Sequence, residues 1–193
     1  YNGANLGFGA GHNRAFAKLP EKSTLHLILN PDVRFAAHVL PALQAVMDAN
    51  HTVGAVMPRI NFPDGSLQRL AKLLPSPVDL IFRRFVPSAA VRRRINQRYE
   101  LHELPQDQPI EVPTISGCCL LVRTQALRRV GGFDERYFMY LEDVDLVRRL
   151  GDFSTIMYVP TFAVVHDYAK GSYFNRKLLG YHIKSAIKYF NKW

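Results

Sequence analysis

Short apolar runs alternate along the chain with longer segments in which apolar residues recur at helical spacing. Apolar runs bounded by turn-forming or charged residues predict strands at residues 25–29, 53–57, 115–122 and 155–159. Helical spacing predicts helices at residues 37–50, 125–130 and 142–150. This alternation predicts an α/β fold with a largely parallel sheet flanked by helices.

Two segments depart from the alternation. Residues 75–113 contain six prolines and a group of arginines, and we interpret them as a basic helical insertion within one domain that spans residues 1–193. Residues 173–193 predict a C-terminal helix with lysines on one side and apolar residues on another. Such a helix either covers the core or lies at a membrane.

The net charge of +9 favours a polyanionic partner, which could be nucleic acid, an anionic membrane surface or a phosphorylated substrate. Much of the excess lies in residues 82–98, where arginines interleave with apolar residues. This mixture suits either a segment at a lipid interface or a solvated helical hairpin. No apolar run approaches the roughly 20 residues of a membrane-spanning helix, and residues 1–11 do not resemble a signal peptide. We therefore expect a cytoplasmic location, compatible with the inner face of the membrane.

The cysteine pattern limits the chemistry of any metal site. Cys118 and Cys119 are the only cysteines, and neighbours in sequence rarely form a disulfide. A cysteine-based metal site lacks the second cysteine pair that it needs. Any bound metal is therefore expected to have oxygen or imidazole ligands.

Residues 5–13 contain three glycines at alternate positions, followed by a short helical pattern at residues 13–18. Glycine lets backbone amides approach a phosphate closely, and the N-terminus of a helix favours negative charge. The spacing differs from the dinucleotide-binding fingerprint. A phosphate- or ribose-binding segment and a plain glycine loop both remain open.

Two apolar strands end in polar residues that could bind a ligand. Residues 25–29 are followed by Asn30, Pro31 and Asp32, and residues 164–165 are followed by His166. Ligands of open α/β sheets bind beyond the carboxyl ends of the strands. A carboxylate such as Asp32 could hold magnesium or manganese, and His166 could ligate a metal or a phosphate. A strand-ending turn and a structural histidine are the alternatives.

Acidic residues are concentrated just before and within the predicted helix at residues 142–150. The group comprises Asp134, Glu135, Glu142, Asp143 and Asp145. Acids in the first turn of a helix complement its dipole, which is a structural explanation. Aromatic neighbours such as Phe138 and Tyr140 favour instead a cleft that excludes water and holds a general base.

Taken in order, these motifs resemble the family 2 glycosyltransferases, and among them the rhamnosyltransferase-like members. The resemblance extends from Asn5 to about residue 172, and the joint order of the motifs carries it. The motifs are residues 5–13, Asn30-Pro31-Asp32, Pro58-Arg59 with Asp64-Gly65, Ser116-Gly117, residues 132–135 and residues 142–146. The resemblance implies a GT-A fold of Rossmann-like type.

The resemblance also implies a reaction and its partners. A sugar, with rhamnose as the expected one, would pass with inversion from a nucleotide-diphosphate donor to a glycan or a polyprenyl-diphosphate-linked acceptor in cell-surface polysaccharide synthesis. A divalent metal, manganese or magnesium, would assist. Members of the family usually begin with a strand–helix–strand unit that supplies much of the nucleobase pocket, and this sequence starts after it. The chain is therefore expected to be a fragment.

Site residues follow from the resemblance position by position. Asp32 matches the last acid of the family's Asp-X-Asp motif, and Asn30 stands at the first, so Asp32 and His166 are expected to hold the metal. Asp143 matches the catalytic base, and Glu142 would orient it. Donor binding is expected at Asn5, Gly7, Phe8, Gly9, Gly11, Asn13, Asn30 and Asp32. Acceptor binding is expected at Ser116, Gly117, Phe138 and Tyr140.

Three other functions compete with this interpretation. A nucleic-acid-binding domain would account for the net charge but not for the acids around Asp143, so no nucleic acid is expected as a partner. A metal-dependent phosphohydrolase could use Asp32, Asp143 and His166. An inactive carbohydrate-binding or scaffolding module would bind glycan without a metal.

Overall fold

The fold is α/β, and a computed structural model describes residues 3–80, 86–167 and 175–193. The strands are β1 (Leu25–Leu29), β2 (Val33–Arg34), β3 (Val53–Asn61), β4 (Leu67–Gln68), β5 (Ala71–Lys72), β6 (Ile110–Glu111), β7 (Thr114–Ile115), β8 (Cys119–Arg123) and β9 (Thr155–His166). The helices are α1 (Phe8–Phe16), α2 (Val39–Ala49), α3 (Pro77–Leu80), α4 (Ala89–Tyr99), α5 (Thr124–Arg129), α6 (Glu142–Gly151) and α7 (Arg176–Lys192).

The main sheet is mixed, and the expectation of a largely parallel sheet is wrong. Its central order is β1-β8-β3-β9-β2, with β4 beside β3 and β6 beside β9. Among the described strands only β3 and β9 pair in parallel, whereas the other pairs are antiparallel. Because β8 runs antiparallel to both β1 and β3, the unit β1–α2–β3 does contain two strands of the same direction. The alternation of strands and helices predicted that β1 and β3 run in the same direction, but it did not predict that β8 lies between them.

The centre of the sheet is buried on both faces. Residues 53–58 of β3 are all buried, although successive side chains of a strand point to opposite faces. Helices α2 and α6 both contact β3 and β9. Leu43 and Met47 of α2 are fully buried, and each contributes about 1.5–3 kcal/mol by leaving water. This packing fixes the strand ends that carry polar side chains.

Two predicted strands continue past prolines that were taken to end them. Strand β3 runs through Pro58 to Asn61, and β9 runs through Pro160 to His166. The register between β3 and β9 shifts at Pro58, so the ladder is irregular where a proline cannot donate a hydrogen bond. Strand β9 therefore extends to His166, as the apolar run before that histidine indicated.

The predicted strand at residues 115–122 is divided into β7 and β8 by a turn at residues 116–118. In this turn the Gly117 amide donates to Asp143, and Cys118 O accepts from the Asn30 amide. The Gly117 amide and the Cys118 carbonyl therefore bond to α6 and to the end of β1, and not to a neighbouring strand. The interruption thereby connects β1 to the start of α6.

The glycine segment is helical rather than a loop. Helix α1 begins at Phe8, so Gly9 and Gly11 lie inside it, and the predicted start of the helix at Asn13 is wrong. Gly7 precedes the helix with φ 89°, and a Cβ there would lie 2.2 Å from Phe138 O. The tight contact with residue 138 thus requires glycine at position 7 and fixes where α1 starts.

A second, smaller core joins the insertion to the C-terminal helix. Within residues 75–113, α3 and α4 are helical, and β6 returns to the sheet beside β9. The second core consists of Leu80, Tyr99, Tyr137, Leu141, Ala186 and Tyr189. Helix α7 therefore packs against the segment that precedes α6. Residues 82–85 of the basic segment and residues 173–174 of the predicted C-terminal helix lie outside the described part of the chain. None of the helices described is both long and apolar enough to cross a membrane.

Candidate active site

An open cavity of about 980 Å³ lies where the carboxyl ends of β1 and β9 meet the start of α6. Residues of β4 and β5, the turn between β7 and β8, and the turn before α6 complete its wall. Eight of the predicted site residues line it: Phe8, Asn30, Ser116, Gly117, Tyr140, Glu142, Asp143 and His166. The fold thus brings together residues that are up to 158 positions apart in sequence.

Asp143 lies in the first turn of α6 and is oriented by three hydrogen bonds. Its Oδ2 accepts from the Gly117 amide at 2.9 Å and from Ser116 Oγ at 3.3 Å. Its Oδ1 accepts from the Val144 amide at 2.8 Å. Each carboxylate oxygen has two lone pairs, so Oδ1, which accepts one of these bonds, can still accept from a further donor. Ser116 and Gly117, predicted to bind acceptor, therefore contact the predicted base directly.

Backbone strain directs this first turn of α6 towards the cavity. Tyr140 and Leu141 both adopt left-handed conformations, with φ 68° and 65°. Side chains other than glycine adopt this region rarely, at a cost of about 1–3 kcal/mol, and surrounding contacts must maintain it. Leu141 is buried in the second core, and the ring of Tyr140 packs on His182 with centroids 5.1 Å apart. These contacts hold the strained turn that positions Glu142 and Asp143.

Glu142 is buried beside Asp143 and is expected to be neutral. Its side chain is 7% exposed, and its Oε2 has no hydrogen-bond partner among the described residues. Burial raises the pKa of Glu142 to about 8, and the neighbouring charge of Asp143 adds to the effect. Glu142 was expected to orient Asp143, but the hydrogen bonds that orient Asp143 come from Gly117, Ser116 and Val144. Glu142 supplies a carboxylic acid at the cavity wall.

We expect the Glu142→Gln variant to change how stability depends on pH. The folded-state pKa of Glu142 lies above the ordinary 4.5, so the folded state binds more protons than the unfolded state between about pH 4.5 and 8. The wild-type free energy of unfolding should therefore fall as pH rises through this window, by up to about 1.4 kcal/mol per pH unit. Urea unfolding between pH 5 and 7 should show the variant gaining about 2 kcal/mol relative to the wild type. Parallel pH curves would contradict a neutral Glu142, and Glu103→Gln at an exposed position is the control.

The acidic cluster divides into two groups with different roles. Only Glu142 and Asp143 are among the residues that line the cavity. Asp134 and Asp145 both form ion pairs with Lys192, at 2.8 and 2.7 Å, and Glu135 accepts a hydrogen bond from Asn13. The interpretation of all five acids as one catalytic cleft is therefore wrong for three of them, which hold α7 and α1 in place.

Asp32 is not among the residues that line the cavity, but it contacts His166, which does line it. His166 Nε2 lies 3.4 Å from Asp32 Oδ1 and 3.3 Å from Asn30 Nδ2. Burial lowers the pKa of His166, because it disfavours the imidazolium, whereas Asp32 and Asp167 oppose this shift. The neutral imidazole is the form that can ligate a metal. The sequence indicated both residues, and the fold brings them into contact.

The donor set was compared with what a divalent cation requires. Among the described residues there is no group of three or more His, Cys, Asp or Glu side chains suited to a metal. Magnesium, however, is commonly held by one or two carboxylates together with substrate phosphates, and manganese also accepts an imidazole ligand. Two ligands of one cation, each about 2.1 Å from it, can lie about 3.4 Å apart. Asp32 and His166 therefore fit a cation whose other ligands come from a bound diphosphate.

The other predicted donor-binding residues serve contacts within α1 and its surroundings. The Gly7 amide donates to Asn5 Oδ1, and the Phe8 amide donates to Phe138 O. Gly9 packs against Phe133, where a Cβ would come within 2.9 Å of the Phe133 Cβ. Among the described residues that line the cavity, α1 contributes Phe8.

Asn13, Gly11 and Phe138 also lie away from the cavity lining in the described structure. Asn13 Oδ1 accepts from the Phe133 amide, and its Nδ2 donates to Phe133 O and Glu135. The ring of Phe138 packs on Tyr181 of α7, with centroids 4.8 Å apart. These contacts give Asn13 and Phe138 structural roles in positioning α1 and the turn before α6.

Sequence reasoning missed the wall formed by β4 and β5. Gln68, Arg69 and Lys72 line the cavity, and Gln68 is buried. The Asp64-Gly65 turn was recognised in the sequence. A strand directly after this turn would pair with β3 as a hairpin, and that pairing would have placed Gln68 opposite Ile60. No local pattern indicated that a glutamine in this strand is buried against a histidine 98 positions later.

Comparisons with known proteins agree with this architecture. No family profile matches the chain. N-acetylglucosaminyl-diphospho-decaprenol L-rhamnosyltransferase of Mycobacterium tuberculosis, in two strains, is 38% identical over 178 residues, which cover 86% of this chain and 57% of the relative. Rhamnosyltransferase WbbL of Escherichia coli is 40% identical over 77 residues, 38% of this chain and 29% of the relative. The chain thus spans little more than half the length of the mycobacterial relatives.

A solved structure shows the same fold at low sequence identity. The crystal structure of GalNAc-T7 with UDP, GalNAc and Mn²⁺ superposes with a TM-score of 0.60 at 13% identity. The match covers 86% of this chain and 31% of that chain. The expected GT-A fold is supported by this match, with a mixed rather than mostly parallel sheet.

Proposed function

We propose that this chain, which is similar to the rhamnosyltransferases of Mycobacterium tuberculosis and Escherichia coli, transfers a rhamnosyl group with inversion from a nucleotide-diphosphate donor. The acceptor is a hydroxyl of a sugar carried on a polyprenyl diphosphate, in the synthesis of a lipid-linked cell-surface polysaccharide. The name of the mycobacterial relatives specifies such an acceptor, N-acetylglucosamine on decaprenyl diphosphate. The observation that carries the proposal is the oriented carboxylate of Asp143 in the same cavity as His166 and Asn30.

In the proposed reaction Asp143 removes the proton of the acceptor hydroxyl. The hydroxyl oxygen attacks the anomeric carbon of the donor from the face opposite the diphosphate, and the bond from that carbon to the diphosphate oxygen breaks. The nucleoside diphosphate leaves with the bonding electrons, so the configuration inverts. Gly117 and Ser116 keep the carboxylate aimed at the hydroxyl, and the neutral acid of Glu142 can donate a hydrogen bond to the acceptor sugar.

Asp32 and His166 would hold a manganese or magnesium ion beside the donor diphosphate. Such an ion, when bound, neutralises the charge that develops on the leaving diphosphate. Asn30 lies next to His166 and can contribute a neutral hydrogen-bonding group to the same side of the cavity. The single carboxylate at this position makes metal binding dependent on the donor phosphates.

The experiment that tests the function measures donor binding and transfer by the full-length protein. Nucleoside-diphosphate sugars, with rhamnose among the sugars, are titrated by calorimetry with and without Mn²⁺, and transfer to polyprenyl-diphosphate-linked N-acetylglucosamine is followed. We expect Mn²⁺-dependent donor binding that Asp32→Asn weakens and that Asp48→Asn, an exposed acid on α2, leaves unchanged. Glycan binding without any donor binding or transfer would reject the enzyme and favour a carbohydrate-binding module.

A lipid-linked acceptor also requires access to a membrane surface, and the insertion offers one. Helix α4 exposes Arg92, Arg93 and Arg94 beside Val91, which is 50% exposed. Basic residues near an anionic membrane each contribute about 1 kcal/mol to binding. This exposed face therefore suits peripheral contact with anionic lipid.

Neutralising that face should weaken membrane binding. We expect the triple variant Arg92→Gln, Arg93→Gln and Arg94→Gln to bind vesicles that contain anionic lipid about 100-fold more weakly in a sedimentation assay. Binding to zwitterionic vesicles should be weak for both proteins. A control with the same charge loss replaces Arg14, Lys18 and Lys22 with glutamine. Equal losses in the two triple variants would indicate a general charge effect and not a specific face.

A further inference from the structure

Gln68 and His166 form a buried polar pair that sequence patterns did not reveal. Both residues are 4% exposed, and they join β4 to the end of β9. Gln68 Nε2 donates to His166 O at 2.7 Å and to Asn61 O at 3.3 Å. Gln68 Oε1 lies 3.0 Å from His166 Nδ1.

These contacts determine which way the glutamine amide points. If its oxygen and nitrogen were exchanged, the oxygen would face two carbonyl oxygens, and all three groups are acceptors only. The observed orientation is therefore the one that satisfies the hydrogen bonds. Gln68 Oε1 can only accept, so the proton of the imidazole must lie on His166 Nδ1.

The tautomer of His166 has a consequence on the other side of the ring. With the proton on Nδ1, Nε2 of the neutral imidazole carries a lone pair, which faces Asn30 Nδ2 at 3.3 Å and Asp32 Oδ1 at 3.4 Å. Asn30 can donate to this lone pair. Asp32 Oδ1, however, is an acceptor, so the two electron-pair donors repel each other unless a cation lies between them or Nε2 itself takes up a second proton.

We propose that Gln68 is a positioning residue that holds His166 with its Nε2 lone pair towards Asp32 and so prepares a divalent-cation site. The inference rests on the proposed function for its biological role, because that reaction needs a cation at the donor diphosphate. A hydrogen bond from the second nitrogen of a metal-bound histidine fixes the orientation of the ring, and its loss weakens metal binding roughly 10- to 100-fold. Gln68 supplies that bond from a strand that no metal ligand occupies.

The first test is spectroscopic and uses the metal-free protein. Long-range ¹H–¹⁵N correlation at about pH 8 reports which ring nitrogen of each histidine carries the proton, and the His166→Gln variant identifies the His166 signals. We expect a proton on Nδ1 and none on Nε2 in the wild type. A proton on Nε2 alone, or on both nitrogens as in a structural ion pair with Asp32, would overturn the proposal. This measurement requires no Gln68 variant to fold.

The second test replaces the glutamine. Gln68→Met keeps the length of the side chain and removes both hydrogen-bonding groups, while Gln106→Met makes the same change at a partly buried site that contacts Tyr158. In the Gln68 variant we expect a mixture of tautomers and Mn²⁺ affinity, measured by calorimetry with a nucleoside diphosphate present, that is roughly 10- to 100-fold lower. An unchanged tautomer or an unchanged affinity would overturn the proposal. Rhamnosyl transfer by the wild type is assayed separately, so its absence would reject the proposed function without affecting the spectroscopic result.

Discussion

Replacing Asp143 with asparagine should lower the turnover number for sugar transfer by about 1,000-fold while donor affinity stays within a few-fold of the wild type. A positioned general base contributes roughly 10²- to 10⁴-fold to the rate, and an amide cannot accept the proton of the acceptor hydroxyl. Asparagine has the same shape, and its Oδ1 can still accept from the Gly117 amide. The loss should therefore appear in the turnover number and not in donor binding.

The hydrogen bonds of Asp143 define how this experiment should be controlled. An asparagine oriented towards Gly117 turns its NH₂ group towards the Val144 amide, so the bond at Oδ1 is lost. A loss of stability of about 1–3 kcal/mol is expected from this mismatch, and rates should be normalised to the folded fraction. Asp152→Asn makes the same change at the exposed C-terminal end of α6 and should retain full activity.

Glu142 provides the competing assignment for the base. If Asp143→Asn retained activity within tenfold and Glu142→Gln lost it, the base would be Glu142 and the assignment to Asp143 would be wrong. We expect the opposite order, because burial raises the pKa of Glu142 to about 8, so most of this acid is protonated at neutral pH and cannot accept a proton. The two variants measured side by side thus separate the roles of adjacent carboxyl groups.

The sequence predicted those parts of the site that depend on local patterns. Asn30 and Asp32 follow an apolar strand, His166 ends another, and Asp143 starts an amphipathic helix. Each position can be inferred from a change of hydrophobic period within about ten residues. The carboxyl ends of strands that run in the same direction meet at one edge, so these residues converge as expected.

The parts that the sequence did not predict depend on distant partners. Gly7 looked like part of a phosphate loop, yet its conformation is required by Phe138, 131 residues later. Asn13 caps a turn at Phe133, and Gln68 is buried against His166. The insertion of β8 between β1 and β3 is likewise a choice of neighbour that hydrophobic period does not encode. A short motif therefore identifies residue types suited to chemistry but not which of them reach the cavity.

Asp145 belongs to the acidic motif but does not line the cavity. Of all the substitutions considered, its replacement should lower the free energy of unfolding most. The side chain is fully buried, and its carboxylate contacts Arg149 at 2.9 Å, Lys192 at 2.7 Å and the Trp193 indole at 2.9 Å. Removing one partner from a buried ion pair typically costs about 3–5 kcal/mol, because the remaining charges are left without compensation. We expect Asp145→Ala to lower the free energy of unfolding by this amount in urea titrations.

The same network connects stability to the active site. Lys192 and Trp193 hold the end of α7 to α6, and Ser185 of α7 donates to Met139 O at 2.8 Å in the turn before α6. Loosening α7 should therefore release the strained turn that carries Glu142 and Asp143, and activity should fall in parallel with the folded fraction. Asp152→Ala, at the exposed end of the same helix, should change stability by less than about 0.5 kcal/mol. If Asp145→Ala cost less than about 1 kcal/mol, the ion pairs of Asp145 would contribute little to stability, and α7 would owe its position to the second core alone.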